Sequence, residues 1–196
     1  MDNEVKEPAF KYNHISPAEY LAAEREADEK HEYYDGLVLA MSGASLNHNR
    51  IEMNLSIQIG NFLQEKSCEI LPGNMRVGTP AQDAYMYPDA IIVCNKPKLE
   101  DDVFDTLMNP SVIFEILSPS TRSIDKGRKF FFYNQISSLQ EYIMIDSRKQ
   151  FIQLGRKQAD GSWMFEYISD ANASLFIRTI DFFLPLSAIY KGMDFP

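Results

Sequence analysis

Apolar positions along this chain recur with two periods, and the switches between them outline its elements. Leu46, Ile51, Leu55, Ile59, Phe62 and Leu63 follow a helical spacing, which predicts a helix over 46–65 with one buried face. An earlier helix is announced by Ser16-Pro17-Ala18-Glu19: Ser16 can cap, Pro17 suits the first helical position and Glu19 can close a capping box. Ile15 and Tyr20 are spaced as a hydrophobic staple, and the Ala- and Glu-rich stretch predicts helix to about Lys30. Asp35-Gly36 separates two strand-like runs, Glu32-Tyr33-Tyr34 and Leu37-Val38-Leu39-Ala40-Met41, and predicts a hairpin because both turn residues tolerate positive φ.

Strands are expected over 68–78 and 87–94, followed by a polar, acidic loop over 95–110. The short apolar run Val112–Leu117 reads as a central strand. Ser118-Pro119-Ser120-Thr121 ends it, and a helix is predicted over 122–135. Further strands are expected at Glu141–Asp146, 150–154, Trp163–Ile168 and Ser174–Ile177, with a turn at Asp160-Gly161 and a last helical turn over 185–190. Strands mixed with helices imply an α/β (α+β) fold. Positions 1–14 read as a polar lead and 15–196 as one domain.

Composition narrows the function classes. The 196 residues are 45% hydrophobic and 24% charged, as in an ordinary globular protein. No run approaches the ~20 apolar residues of a membrane helix, and the N-terminus lacks the order of a signal peptide. Cys68 and Cys94 fit no metal spacing and are expected as free thiols in a reducing cytoplasm. The net charge of −9 excludes a general DNA-coating protein, because affinity for that polyanion comes largely from Lys and Arg on phosphates. A local basic patch is still compatible with it.

Three residues carry candidate chemistry. Glu115 is the only polar residue in Val112-Ile113-Phe114-Glu115-Ile116-Leu117, and an ionised carboxylate there is costly unless paired or metal-bound. A structural salt bridge would satisfy it as well as a cation. Asp89 sits at the mouth of another apolar run and shares a face with Ile91 and Val93 by alternation. If the two strands pair, both carboxylates converge at one end, a donor set that suits Mg²⁺ with its retained waters. Asp125, Lys129 and Tyr133 recur at i, i+4, i+8 along one helix face, so Lys129 can offset charge near such a site, or form only a surface pair with Asp125. Arg122, Lys126 and Arg128 in the same segment are candidates for phosphate contacts.

Together these residues resemble a known pattern. Pro88-Asp89, Glu115-Ile116-Leu117 and Lys129 look like a PD-(D/E)XK nuclease core with a shifted lysine. The chain resembles the Uma-type putative restriction endonucleases in Tyr34-Asp35-Gly36, Asn47-His48-Asn49-Arg50, Tyr87-Pro88-Asp89-Ala90, Phe114-Glu115-Ile116-Leu117-Ser118-Pro119-Ser120-Thr121, Asp125-Lys126-Gly127-Arg128-Lys129 and Ser138-Leu139-Gln140-Glu141-Tyr142. The resemblance implies a restriction-endonuclease-like fold, a mixed central sheet flanked by helices, with Mg²⁺- or Mn²⁺-dependent phosphodiester hydrolysis on DNA. It matches Asp89 and Glu115 to metal carboxylates, adds the Ile116 carbonyl and Glu32 as further ligands, and matches Lys129 to the catalytic lysine. Two positions depart from the pattern. Leu117 stands where the triplet lysine would be, and Leu37 stands where many relatives carry Glu.

Two other readings compete: a nuclease-fold module that binds nucleic acid or protein without cutting, and a metal-free acid/base hydrolase. Trp163 is the only tryptophan and lies near neither carboxylate in sequence, which ranks the latter last. A homodimer is compatible with cutting both strands. His48 is expected to cap or pack its helix, and Arg76 to face the site or pair with a carboxylate.

Overall fold

A computed structural model of the chain describes residues 14–103, 105–118 and 122–195. Most of the lead over 1–14, and Pro119, Ser120 and Thr121 of the strand-ending segment, lie outside the described residues.

α1 (Pro17–Arg25) begins with the expected capping box: Glu19 N–H reaches Ser16 Oγ at 3.3 Å while the Glu19 carboxylate accepts Ser16 N–H at 2.8 Å. It stops short of Lys30, and the Glu24 carboxylate accepts the His31 N–H at 3.0 Å, tying the helix end to the start of the next strand. β1 (His31–Tyr34) and β2 (Leu37–Ala40) form the predicted hairpin, with φ of +46° at Asp35 and +87° at Gly36. α2 (Leu46–Leu63) buries Ile51, Leu55, Ile59 and Leu63.

The expected strand over 68–78 is two strands, β3 (Cys68–Pro72) and β4 (Arg76–Gly78), in different sheets. β5 (Ala84–Met86), β6 (Ala90–Cys94) and β7 (Thr106–Leu107) follow, the last inside the expected acidic loop. After β8 (Val112–Leu117), a π-helical stretch, Ile124–Lys129, runs into α3 (Phe130–Tyr133). β9 (Glu141–Asp146), β10 (Ile152–Lys157), β11 (Trp163–Ile168), β12 (Ser174–Ile177), β13 (Phe182–Pro185) and α4 (Leu186–Ile189) complete the order.

The six-stranded sheet β11-β10-β9-β8-β6-β3 is mixed, with β8 parallel to β9 and antiparallel to β6. Alternation sends its side chains to two cores. On one face Ala90, Ile92, Phe114, Ile116, Ile143 and Ile145 pack against α2, α4 and the β12-β13 ribbon. On the other, Ile91, Val93, Ile113, Leu117 and Met144 meet α3 and a second sheet, β2-β1-β5-β4-β7. One flanking layer thus combines α2 and α4 with a two-stranded ribbon, and the other is largely β. Sequence pattern misses that second sheet because β4, β5 and β7 are only two or three residues long, too short for a period to register.

The cysteine expectation is overturned. Cys68 and Cys94 are joined by a disulfide, and no described cysteine is free. β3 and β6 pair antiparallel with these residues directly opposed, a proximity that their separation of 26 positions conceals. The inference from free thiols to a reducing compartment loses its premise. No helix among the described residues is long and apolar enough to cross a membrane.

Candidate functional site

The site lies between the two sheets at one end of β8. β6 pairs with β8 through Ala90↔Phe114, and that register continued by one residue sets Asp89 beside Glu115. The Asp89 N–H donates to Phe114 O at 3.1 Å, and its Oδ2 accepts the Ile116 N–H. The conditional expectation from sequence, that pairing would bring both carboxylates together, describes the structure. Glu115 shares the inner face with Ile113 and Leu117, and only 2% of it is exposed.

Lys129 reaches the same space from the π-helical stretch, whose widened turn presents Asp125, Lys129 and Tyr133 to the interior. Such single-turn departures from α-geometry are frequent at functional sites. Lys129 Nζ lies 2.9 Å from Glu32 Oε1, 3.2 Å from both Glu115 oxygens and 3.5 Å from Asp125 Oδ1. Tyr133 OH donates to Glu115 Oε1 at 3.1 Å. The Asp125–Lys129 pair is therefore buried, not a surface pair.

Glu32 is occupied on both oxygens. Oε1 takes Lys129 and the Tyr87 N–H at 3.0 Å, and Oε2 takes the Tyr34 hydroxyl at 2.7 Å. Strand alternation places Glu32 and Tyr34 on the same inner face of β1. Glu32 in this arrangement holds the lysine in place.

The electrostatics follow from burial and count. Burial pushes the Glu115 carboxyl well above its ordinary range; Lys129 pulls it back, and Asp125, Asp89 and Glu32 push it further up. For Lys129 burial works against the charge, but Glu115, Glu32, Tyr34 and Asp125 outweigh it, so the ammonium is held well above its usual value. Glu32, Glu115 and Asp125 thus share Lys129, Asp89 faces His48, and carboxylates outnumber cations in the cluster.

His48, expected only to cap or pack, sits with its Nε2 2.9 Å from Asp89 Oδ1. It lies three and seven residues before Ile51 and Leu55, on the buried stripe of α2, and that signal was readable. Among the candidate phosphate contacts, Arg122 is bound to buried Asp146, whereas Lys126 and Arg128 are exposed, the latter 5.6 Å over the Tyr34 ring. Arg76 does not face the site; it pairs with Asp105 at 2.8 Å on the outer side of the second sheet.

The donor set is all oxygen, which suits a hard cation. Among the described residues, no three acidic, histidine or cysteine side chains are arranged to hold a metal ion. A fit would rest on fewer protein ligands, Asp89, Glu115 and the Ile116 carbonyl, in a cluster where carboxylates outnumber Lys129 and His48. Mg²⁺ commonly takes one or two carboxylates and keeps its waters.

Residues 17–181 match the Uma2 family, described as putative restriction endonuclease. The chain belongs to the Uma2 family. Two curated relatives from Synechocystis sp. are similar along most of their length. Uncharacterized protein sll1609 is 35% identical over 161 residues, 82% of this chain and 91% of the relative. Uncharacterized protein slr1290 is 34% identical over 188 residues, 96% of this chain and 97% of the relative. Among solved structures, a putative nuclease belonging to DUF820 from Anabaena variabilis superposes with a TM-score of 0.73 at 16% identity, covering 90% of this chain and 97% of that one. This Uma2 chain therefore shares that protein's fold, with mixed sheets and few helices.

Proposed function

We propose that this Uma2 chain is a divalent-metal-dependent endonuclease that hydrolyses phosphodiester bonds in DNA. The observation that carries the reading is the excess of carboxylates around Glu115 and Asp89 over the two cationic side chains beside them, Lys129 and His48. Uncompensated buried charge is expensive, and a cation offsets it.

Asp89, Glu115 and the Ile116 carbonyl would hold the cation, Mg²⁺ or Mn²⁺. When bound, it would polarise a phosphoryl oxygen and lower the pKa of a coordinated water. The chain's own groups do the rest. Lys129, kept protonated by its anionic neighbours, is no general base in this arrangement; its ammonium orients the attacking water and stabilises charge on the phosphorus. Glu32 and Tyr34 fix its position. Lys126 and Arg128, exposed on the same helical stretch, meet the phosphate backbone. Arg122 is a weaker candidate, because Asp146 already holds it.

The test is incubation of pure protein with supercoiled plasmid plus Mg²⁺ or Mn²⁺, beside an EDTA control and Glu115→Gln. Metal-dependent nicking lost in the variant supports the reading. No cleavage with either metal by folded protein favours instead a binding module that does not cut, the reading that the net charge of −9 motivates.

A further inference from the structure

Asp89 is the most accessible of the inner carboxylates and the one whose orientation decides how it meets a cation. Its side chain is 17% exposed, and its Oδ2 is fixed by the Ile116 N–H. The other oxygen lies 2.9 Å from His48 Nε2, and the imidazole is itself only 15% exposed. His48 has little freedom. Ser45 Oγ caps α2 by accepting the His48 backbone N–H at 3.2 Å, which fixes the first turn. Ile51 and Leu55, completely buried on the same stripe, lock the helix against the sheet that carries Asp89.

We infer that His48 is a positioning residue for Asp89: it holds Oδ1 from the side of α2 while the Ile116 amide holds Oδ2. An ionised carboxylate has about four lone-pair sites. With one on each oxygen engaged by the protein, one on each is left to face a cation. Neither donor is a ligand; together they set the direction in which the carboxylate points. The inference rests on the metal-dependent reading above and deepens it, by naming what orients the ligand. Partners of this kind typically carry 10–100-fold of metal affinity.

The experiment is Mn²⁺ titration of DNA-free protein by calorimetry on wild type, His48→Ala, His48→Gln and Asn54→Ala, with circular dichroism melts of each. His48→Gln keeps an N–H close to the Nε2 position. Asn54 ties α2 to the carbonyls of Ile189 and Lys191 at 2.9 and 3.1 Å, away from Asp89, so its loss loosens the helix without touching the ligand. The expected result is Mn²⁺ affinity weakened about 10–100-fold in His48→Ala, largely restored in His48→Gln and unchanged in Asn54→Ala despite a lower Tm. In cleavage, His48→Ala should raise the half-saturating metal concentration while kcat at saturating metal changes little. Unchanged Mn²⁺ affinity in His48→Ala, or equal weakening in Asn54→Ala, overturns this inference alone. Absence of Mn²⁺ binding in the wild type overturns it together with the metal-dependent reading.

Discussion

Two buried polar clusters lie on opposite faces of the second sheet, and they are balanced differently. On the outer face, Arg76 donates to Thr106 Oγ1 at 2.9 Å and Tyr87 OH at 3.1 Å and meets Asp105 at 2.8 Å. Asp105 also takes Arg25 at 2.8 Å, Asp101 takes the same arginine, and Glu24 takes the His31 amide and the Tyr87 hydroxyl. Hydrogen bonding from Arg25, with the nearby Arg76 charge, holds the Asp105 carboxyl well below its usual range. The inner cluster runs the other way: Glu115 is pushed up by burial and by Asp125, Asp89 and Glu32, which Lys129 offsets only in part. A matched cluster holds α1, β4 and β7 together. The inner one, at the end of a central strand, has more carboxylates than cations, and it is there that the proposed metal ion would bind.

Substitutions in the two clusters should therefore part in kind. The largest expected effect is catalytic: Lys129→Met lowers kcat for plasmid nicking by about 10²–10³-fold with a cooperative melt retained. Next comes Arg76→Met, which leaves Asp105 and the Tyr87 hydroxyl short of a donor and costs about 3 kcal/mol in urea unfolding. Its nicking rate, measured at a temperature where it is folded, should stay near wild type. A catalytic loss as large as that of Lys129→Met would erase the distinction between the clusters.

Replacing Cys68 and Cys94 by serine together should cost about 2–3 kcal/mol of stability and leave metal-dependent nicking intact, since the bridge closes the far end of β6 from Asp89. The smallest effect has the opposite sign. Burial raises the Glu115 carboxyl above its value in the unfolded chain, so its contribution to stability is full at low pH and is lost as pH rises through the raised folded value. Glu115→Gln removes that loss. In EDTA its Tm advantage over wild type should grow as the pH rises from about 5 to about 8. A difference independent of pH would show that Glu115 titrates normally.

Much of this contrast was legible before any fold was known. Glu115 stood out because it interrupts a run that is otherwise apolar, and the Asp125, Lys129, Tyr133 spacing gave one face whatever the helix type. Asp35-Gly36 fixed the hairpin, and with it the strand that carries Glu32. What escaped depended on distant partners. That Glu32 also accepts from Tyr34, Tyr87 and Lys129 shows only in the fold. His48 reads as a cap until β6 brings Asp89 against α2. Arg76 and the cysteines find their partners only through strand pairing, which sequence separation does not report. The π-helical turn escaped for another reason: its residues carry no pattern that distinguishes it from an α-helix.

The central claim is that the unmatched inner cluster binds a divalent cation and cuts DNA through it. It is tested most directly by nicking of supercoiled plasmid by wild type and by Asp89→Asn, each with Mn²⁺ and with EDTA, at matched folded concentration. The account predicts nicking by wild type with Mn²⁺, none in EDTA, and a loss of at least about 10²-fold in Asp89→Asn. Equal nicking in EDTA, or full activity in folded Asp89→Asn, would contradict it.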